Sequence, residues 1–331
     1  WKRALADYDN LKKETAKDSL NIDVLAHDEP AVLSPDSKTP LMHMLFDLKN
    51  NKVEKVVSEQ NSVISSKKTS KTGDLNETYV KVSFLDVGQG DASFIEWPNR
   101  ELMLVDCGRD AIVLGALGRV MKYYDREIDY LIITHPDLDH YGGCIDVLKR
   151  FDVKNIVYTG LQKEDKSWQY FWDMIQKENA RYTEIAKKDV WQIGGAAINF
   201  LYPDKPLEQN SKEKDNNTSL VFKLSYGESD ILFMGDAEVE LEKYLISIYG
   251  NELDAEVLKV GHHGSGGSSS QNFINLVSPD FSTISVGKDN DYGHPSIRVL
   301  KRLERAGSKI WRTDKPGDVI LQAGKSSSVA K

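Results

Sequence analysis

His135-Pro-Asp-Leu-Asp-His140 is the segment of this chain that decides the fold, and it directly follows the apolar run Tyr130-Leu-Ile-Ile-Thr134. The pattern is typical of a buried strand that ends in a turn. The turn presents two imidazoles and two carboxylates, from His135, Asp137, Asp139 and His140. Without a counter-ion the carboxylates would repel each other. His and Asp side chains at this density are typical metal ligands, so the segment predicts a metal site rather than a solvated polar loop.

A second histidine-bearing segment, Gly261-His262-His263-Gly264-Ser265, strengthens this prediction. It follows another apolar strand, Ala255-Glu-Val-Leu-Lys-Val260. Because α/β folds place their sites at the carboxyl ends of strands, we expect the two segments to meet.

Composition limits the class of protein. The 331 residues are 40% hydrophobic and 28% charged, enough for one large or two medium domains. We predict no membrane span, because no apolar run approaches the roughly 18 residues that a span needs. The net charge of -8 is not that of a protein that binds nucleic acid through a basic surface. It does not exclude a nuclease, because ligand carboxylates add to the acidic count and bound cations offset them.

The two cysteines, Cys107 and Cys144, are interpreted as small buried residues. Nothing in their spacing indicates a disulfide framework, which favours a reducing compartment. The chain begins with Trp1 rather than Met, so we expect a truncated N-terminus. The predicted localisation is cytoplasmic.

The chain divides into three parts. Residues 1–60 are predicted to be a helical N-terminal arm, 61–78 a flexible Ser/Lys/Thr-rich linker, and 79–331 the globular domain. Apolar side chains recur in the arm at helical spacing, namely Trp1, Leu5, Tyr8 and Leu11, then Leu41, Leu45, Leu48, Val53, Val56 and Val57. The arm is either a protein-binding or self-association element or a solvated surface segment.

From Tyr79 onward, strand and helix patterns alternate. The runs 92–97 and 101–106, separated by the turn Pro98-Asn99-Arg100, are typical of antiparallel neighbours. Mixed sheets with covering helices predict an α/β sandwich.

Seven motifs follow one another along the globular part of the chain. They are Leu85-Asp-Val-Gly-Gln-Gly-Asp91, Leu104-Val-Asp-Cys-Gly108, Thr134-His-Pro-Asp-Leu-Asp-His-Tyr-Gly-Gly143, Asn216-Asn-Thr-Ser-Leu220, Phe233-Met-Gly-Asp236, Val260-Gly-His-His-Gly-Ser265 and Tyr292-Gly-His-Pro295. In this order they make the chain resemble the metallo-β-lactamase fold, and within it the branch found as the C-terminal domain of the DNA-uptake protein ComEC. The resemblance implies an αββα sandwich and a hydrolase domain over residues 79–331.

The chain departs from the wider superfamily at two positions, and the ComEC branch shares both changes. Asp137 stands where the His-x-His-x-Asp-His motif has its second histidine, and Asn216 or Asn217 stands where a later ligand histidine is expected. These changes make one half of a two-metal site richer in oxygen, which suits Mn²⁺ or Mg²⁺, while the remaining imidazoles still suit Zn²⁺. We expect two divalent ions; the alternative is one weak ion, or none, in that half.

The resemblance implies a role for each ligand. Asp139 and His140, with His262 or His263, would hold one ion, and His135 and Asp137 the other. Asp236, at the end of the apolar strand Ile231-Leu-Phe-Met234, would bridge the two. Asp139 is also predicted to be catalytic, through an activated water. Asp106 is expected to brace the His135 loop rather than to touch metal.

Further polar residues are candidates for supporting or substrate-binding roles. His294 either contacts phosphate or protonates the leaving oxygen, which makes it a catalytic candidate, or it only begins a helix. Asp86, Gln89 and Asp91 lie in a glycine-rich turn that is either structural or supports the site. Ser265 lies in a Gly/Ser-rich loop that either contacts phosphate or is merely flexible.

Three functions follow from these residues. The first is a metal-dependent phosphodiesterase, specifically a nuclease acting on DNA. The second is a hydrolase of a small phosphoester of the cyclic-nucleotide or phosphocholine type. The third is a non-catalytic docking or sensor module in which residues 1–60 are the working part.

Overall fold

The computed structural model describes residues 42–47, 52–58, 79–209, 215–315 and 317–324. The first predicted helix of the arm and the linker 61–78 lie outside these ranges. The strands of the described part are β1 Met42–Asp47, β2 Lys52–Ser58, β3 Tyr79–Phe84, β4 Ser93–Glu96, β5 Leu102–Val105, β6 Glu127–Ile132, β7 Asp152–Tyr158, β8 Arg181–Glu184, β9 Asp189–Ile193, β10 Ala196–Tyr202, β11 Val221–Tyr226, β12 Ser229–Phe233, β13 Val257–Lys259, β14 Phe281–Ile284, β15 Lys309–Arg312 and β16 Val319–Gly324.

These strands form two sheets. The first sheet has the order β2-β1-β16-β3-β4-β5-β6-β7-β8, and the second has the order β15-β14-β13-β12-β11-β10-β9. In the first sheet β3, β4 and β5 are antiparallel, as predicted for the hairpin around Arg100, and β5 to β8 are parallel. In the second sheet β12 to β15 are parallel. The loops that follow the parallel strands lie at the carboxyl ends of those strands, where α/β folds place their functional sites.

In the described part of the chain, seven α-helices cover the outer faces of the sheets. An apolar core lies between the sheets and includes Phe84, Trp97, Phe222 and Phe233. The first four helices pack on the first sheet and the last three on the second. The helices are α1 Ile112–Val120, α2 Leu138–Tyr141, α3 Cys144–Leu148, α4 Lys166–Ile175, α5 Val239–Tyr249, α6 Gln271–Val277 and α7 Ile297–Arg305. The predicted αββα sandwich is therefore confirmed.

The helix predicted over residues 41–57 is wrong. Two strands occupy this region instead: β1 pairs in parallel with β16, with Leu45 opposite Ile320, and β2 pairs antiparallel with β1. The hairpin extends the first sheet beyond β16, where an unpaired edge would otherwise remain. The division at residue 79 stays a prediction, because the hairpin joins residues 42–58 to the sheet of the following domain.

The expectation of two unpaired cysteines is also wrong. Cys107 and Cys144 are buried, as predicted, but they form a disulfide with a Cα–Cα distance of 5.2 Å. The bond joins the loop after β5 to the start of α3. Structural disulfides belong mainly to oxidising compartments, so cysteine usage no longer favours a reducing one.

Other differences are small. The strand pattern missed β8, a four-residue edge strand with mostly exposed side chains, and it also missed the single turn of α2. Within the described ranges, every helix is too short or too polar to cross a bilayer.

Candidate metal centre

The side chains that hold or support the centre come from four strand ends that meet at one edge of the sandwich. Asp106 directly follows β5, His135 lies just after β6, Asp236 just after β12, and His263 just after β13. Both histidine-bearing segments therefore face one centre, because the carboxyl ends of parallel neighbours open onto the same edge.

Four side chains form a compact donor group. His140 Nε2 lies 3.2 Å from Asp236 Oδ1, and His263 Nε2 lies 3.5 Å from Asp236 Oδ2. Asp139 Oδ2 lies 3.3 Å from His263 Nε2. Tetrahedral ligands bound at 2.0–2.2 Å are separated by roughly 3.3–3.6 Å, so these spacings match the edges of a coordination tetrahedron.

The imidazole nitrogens that face this centre are buried polar atoms without hydrogen bonds. Among the described residues, no group meets hydrogen-bond geometry with Nε2 of His135, His140 or His263, or with Oδ1 of Asp236. Leaving a buried polar atom unpaired costs about 1–3 kcal/mol. These four atoms are all of ligand type, so the site fits a divalent cation. His140, Asp236 and His263 belong to the compact group, and His135 lies beside it, close to His140 and Asp236. The donor set suits Zn²⁺ or Mn²⁺.

The other half of the predicted two-metal site is looser. His135 Nε2 lies 3.5 Å from Asp137 Oδ2 and 4.0 Å from Asp236 Oδ2, and His262 Nε2 lies 4.0 Å from Asp236 Oδ2. Among the described residues, the close groups of ligand atoms contain neither Asp137 nor His262. Of the histidine pair, His263 is thus the one that joins the compact group.

Each imidazole of the centre is oriented through its Nδ1. That of His140 lies 2.8 Å from Asp106 Oδ2, that of His263 lies 3.1 Å from the Ser285 carbonyl, and that of His135 lies 3.1 Å from Thr134 Oγ1. An Nδ1–H that is fixed in this way leaves Nε2 as the metal-binding atom.

Asp106 is the brace of the His135 loop. Its Oδ1 accepts from the Thr134 backbone N–H at 2.8 Å, and its Oδ2 accepts from the Thr134 hydroxyl at 2.6 Å as well as from His140. With both oxygens taken, Asp106 holds its neighbours in place rather than a cation.

A buried ion pair supports His263 from behind. Lys259 Nζ donates to Asp91 Oδ2 at 2.7 Å, and Asp91 Oδ1 lies 3.2 Å from His263 Nδ1. Lys259 and Asp91 are only 2% and 4% exposed. Since a buried charge is tolerated only when it is paired, neither residue can be lost alone without cost.

The backbone around the centre adopts unusual conformations. Asp106, His262 and His263 have φ values of 56°, 48° and 50°. Such left-handed conformations are uncommon for residues other than glycine and cluster at functional sites.

Gly90 allows the first loop to approach the centre. Its φ is +124°, and a Cβ at this position would lie 2.2 Å from the Asp139 carbonyl oxygen. The Asp91 N–H donates to the same carbonyl at 3.2 Å. Only glycine combines this conformation with so close a contact.

Gly90→Ala should therefore displace Asp139, lowering both metal occupancy and the thermal midpoint. Gly88→Ala is the matched control: its φ is +73°, but nothing lies within 4 Å of the added methyl. The free energy of unfolding of the control should fall only by the roughly 1–2 kcal/mol that a non-glycine residue costs in the left-handed conformation. Thermal unfolding with and without Mn²⁺ compares the two, and equal losses would contradict the close-approach argument.

In the metal-free centre, the pKa values of the histidines and of Asp236 are shifted in the directions that favour ion pairs between them. Burial disfavours the charged form of His263, but Asp236, Asp139 and Asp91 outweigh this and raise its pKa to about 10. His140 is likewise opposed by burial, yet Asp236 and Asp106 raise its pKa well above the usual value. The two histidines also hold the pKa of Asp236 well below its ordinary value, against the effect of burial.

Metal binding should consequently release protons. Ion pairing raises the pKa of His140 and of His263, which favours their protonated forms, and an imidazole must be neutral to bind a cation. We expect protons to be released when metal binds, and an affinity that rises as the pH increases toward the raised pKa values. Calorimetric titration with Mn²⁺ in buffers of different ionisation enthalpy measures this. A heat independent of the buffer would be the contrary result.

The remaining predicted residues lie around the centre or away from it. His294 is half-buried, and its ring centroid lies 5.6 Å from that of His262. Asn216 Nδ2 lies 3.3 Å from His262 Nδ1 and donates to Glu238, whereas Asn217 Oδ1 accepts from the Glu238 backbone. Asn217 therefore supports the fold rather than the centre.

The structure does not bring the other loop residues into the centre. Asp86 donates its backbone N–H to Asp318, and Gln89 Oε1 accepts from the Gly287 N–H. Ser265 Oγ accepts from the Gly267 N–H. The Gly/Ser-rich loop is not simply loose, because the buried Glu242 accepts its Ser269 and Ser270 N–H groups.

Sequence reasoning missed several residues of the centre. Lys259 gave a signal, as a charged residue within the apolar strand that precedes the histidine pair. Thr134 ends an apolar strand and begins the motif Thr134–Gly143, but its sequence position indicated no role of its own. Lys163 and Glu238 gave no local signal, since only the fold brings them to Asp137 and His262.

The chain is similar in sequence to two curated bacterial proteins. The chain is 33% identical over 260 residues to ComE operon protein 3 of Bacillus subtilis (strain 168), a match that covers 72% of this chain and 32% of that protein. It is 33% identical over 257 residues to Competence protein ComA of Neisseria gonorrhoeae, covering 77% and 34%. The chain thus spans about one third of the length of these curated relatives.

A solved structure and a family model also match the chain. The metallo-beta-lactamase fold protein YhfI from Bacillus subtilis superposes with a TM-score of 0.50 at 12% identity, covering 74% of this chain and all of that one, which shows the fold alone. The family model of the metallo-beta-lactamase superfamily matches residues 85–288. Because this match covers more than half of the chain, the chain belongs to the metallo-beta-lactamase superfamily.

Proposed function

We propose that this domain is a metal-dependent phosphodiesterase that cleaves DNA. The observation that carries the proposal is the cluster of buried ligand atoms without hydrogen bonds, namely Nε2 of His135, His140 and His263 and Oδ1 of Asp236. That arrangement supports a metal-dependent hydrolase, in agreement with the superfamily to which the chain belongs. The choice of DNA is supported by the relatives, which are named for competence and for recombination.

A bound cation would be held by Asp139, His140, Asp236 and His263. It would supply Lewis acidity toward a phosphoryl oxygen and make a water molecule easier to deprotonate. The protein contributes no thiol nucleophile from Cys107 or Cys144, because both are in the disulfide.

The position of His294, with its ring centroid 5.6 Å from that of His262, supports the proposal that it acts on substrate. Burial, and secondarily the neighbouring His262, lowers the pKa of His294. The ring is consequently neutral at physiological pH, and a neutral imidazole N–H can donate a hydrogen bond to a phosphoryl oxygen. Of the two roles predicted for His294, phosphate contact is favoured over proton donation by a charged imidazole.

Exposed cations follow His294 along the chain. Helix α7 begins three residues after it and carries exposed Arg298, Lys301 and Arg305. Such a row can contact successive phosphates of a polynucleotide, which a small phosphoester does not offer. The net charge of -8 still predicts modest and salt-sensitive affinity.

Incubation of the purified chain with linear and circular DNA and Mn²⁺ tests the proposal. We expect loss of both substrates, suppressed by EDTA and restored by excess Mn²⁺. Absence of cleavage by protein with demonstrated bound metal would overturn it. Hydrolysis of bis-p-nitrophenyl phosphate without DNA cleavage would instead favour a small phosphoester as substrate.

A further inference from the structure

The loop after β7 places a lysine in the looser half of the metal centre. Lys163 Nζ forms an ion pair with Asp137 Oδ1, and both side chains are 26% exposed. Asp137 is the residue that stands in place of the superfamily's second histidine. The Lys163 ammonium group therefore pairs with Asp137 at the position where a second metal ion would be bound.

Neighbouring elements fix this lysine in position. Strands β6 and β7 are parallel neighbours, so the loop with Lys163 lies beside the loop with Asp137. The Gln162 backbone N–H donates to Gln209 Oε1 at 3.0 Å, and Gln162 Oε1 accepts from Trp168 Nε1 at 2.9 Å. Trp168 belongs to α4 and is buried in the apolar cluster between the helices and the first sheet. The backbone on which Lys163 stands is thus anchored on both sides.

The contacts of Asp137 and Asn216 leave this half poor in available donors. One oxygen of Asp137 is taken by Lys163, while the other lies 3.5 Å from His135 Nε2. Asn216 directs its amide Nδ2 toward Glu238 and His262, and an amide nitrogen is not a metal ligand. Within the described part of the chain, no lysine forms an ion pair with Asp139 or Asp236 of the compact group.

We propose that Lys163 is a tethered cation that takes the place of the second ion, so that the centre binds one divalent ion tightly. A second ion at Asp137 would have to displace the ammonium group and would then lie close to it, where like charges repel. The inference rests on the proposed metal centre and adds its stoichiometry.

Metal stoichiometry tests this without any turnover. EDTA-treated full-length protein is dialysed to equilibrium against a series of Mn²⁺ concentrations, and bound metal is measured by mass spectrometry. Four variants accompany the wild type: Lys163→Met, Lys163→Arg, the neighbouring control Lys166→Met at the exposed first residue of α4, and Lys163→Met combined with Asp137→Ala. Electron paramagnetic resonance reports whether two Mn²⁺ ions are coupled.

We expect one tightly bound ion in wild type, Lys163→Arg and Lys166→Met. In Lys163→Met a second ion should bind at least about tenfold more tightly than in wild type and give a coupled spectrum, and Asp137→Ala should abolish it. Two equally tight ions in wild type, or an unchanged stoichiometry in Lys163→Met, would overturn the inference. Because no substrate is present, failure to cleave DNA would bear only on the proposed function.

Discussion

Replacing Asp139 by alanine should reduce hydrolysis by about 10³-fold or more, to background. Asp139 supplies a carboxylate of the compact group and lies 3.3 Å from His263 Nε2. The Lewis acidity of a bound ion is worth several kcal/mol, and each 1.4 kcal/mol corresponds to a tenfold change in rate. Bound metal should fall together with activity, because one ligand is removed.

The control for this variant is Asp280→Ala. Asp280 is exposed and precedes β14 at its amino end, the edge opposite to the centre. It should retain wild-type rate and metal content. Asp139→Ala protein that turns over at the wild-type rate would show that Asp139 is not a ligand of the reactive ion.

Lys259→Met should destabilise the domain by about 3–5 kcal/mol, which is the usual cost of removing one partner from a buried ion pair. Burial opposes ionisation of Asp91, and Lys259 is the main group that lowers its pKa. Without Lys259 the carboxylate must either take up a proton or remain charged without a partner. Urea unfolding of the metal-free protein at pH 7.5 measures the loss.

A second variant separates charge from packing. Lys259→Met with Asp91→Asn removes both charges and should recover part of the lost free energy of unfolding. Lys301→Met, on the exposed face of α7, should change stability by less than about 0.5 kcal/mol. A loss in Lys259→Met no larger than in this control would refute the role of the pair.

Local patterns were sufficient for most of the domain. Alternating apolar runs and helical spacing correctly predicted nearly every strand and helix beyond residue 79, because each element buries a face whose period is visible in the sequence. The strand ends then brought His135 and His263 to one edge, as fold rules require.

The N-terminal hairpin shows where local patterns fail. Residues 41–57 place apolar side chains at spacings that fit a helix, yet β1 pairs with β16, which lies more than 270 residues later in the chain. Strand formation depends on such a partner, and no window of local sequence contains it.

Two features of the site depend on distant contacts in the same way. Cys107 and Cys144 are separated by 37 residues, and their pairing follows only from the packing of α3 against the loop after β5. Lys163 reaches Asp137 because β6 and β7 are neighbours in the sheet. Residue type and spacing predicted the ligands, but not the side chains that compete for them.

Anomalous diffraction from crystals soaked in Mn²⁺ tests the central claim most directly. The account predicts one strong peak at bonding distance, about 2.0–2.2 Å, from His140 Nε2, His263 Nε2 and carboxylate oxygens of Asp236 and Asp139. No peak at these residues, or a stronger peak coordinated by His135 and Asp137, would contradict it.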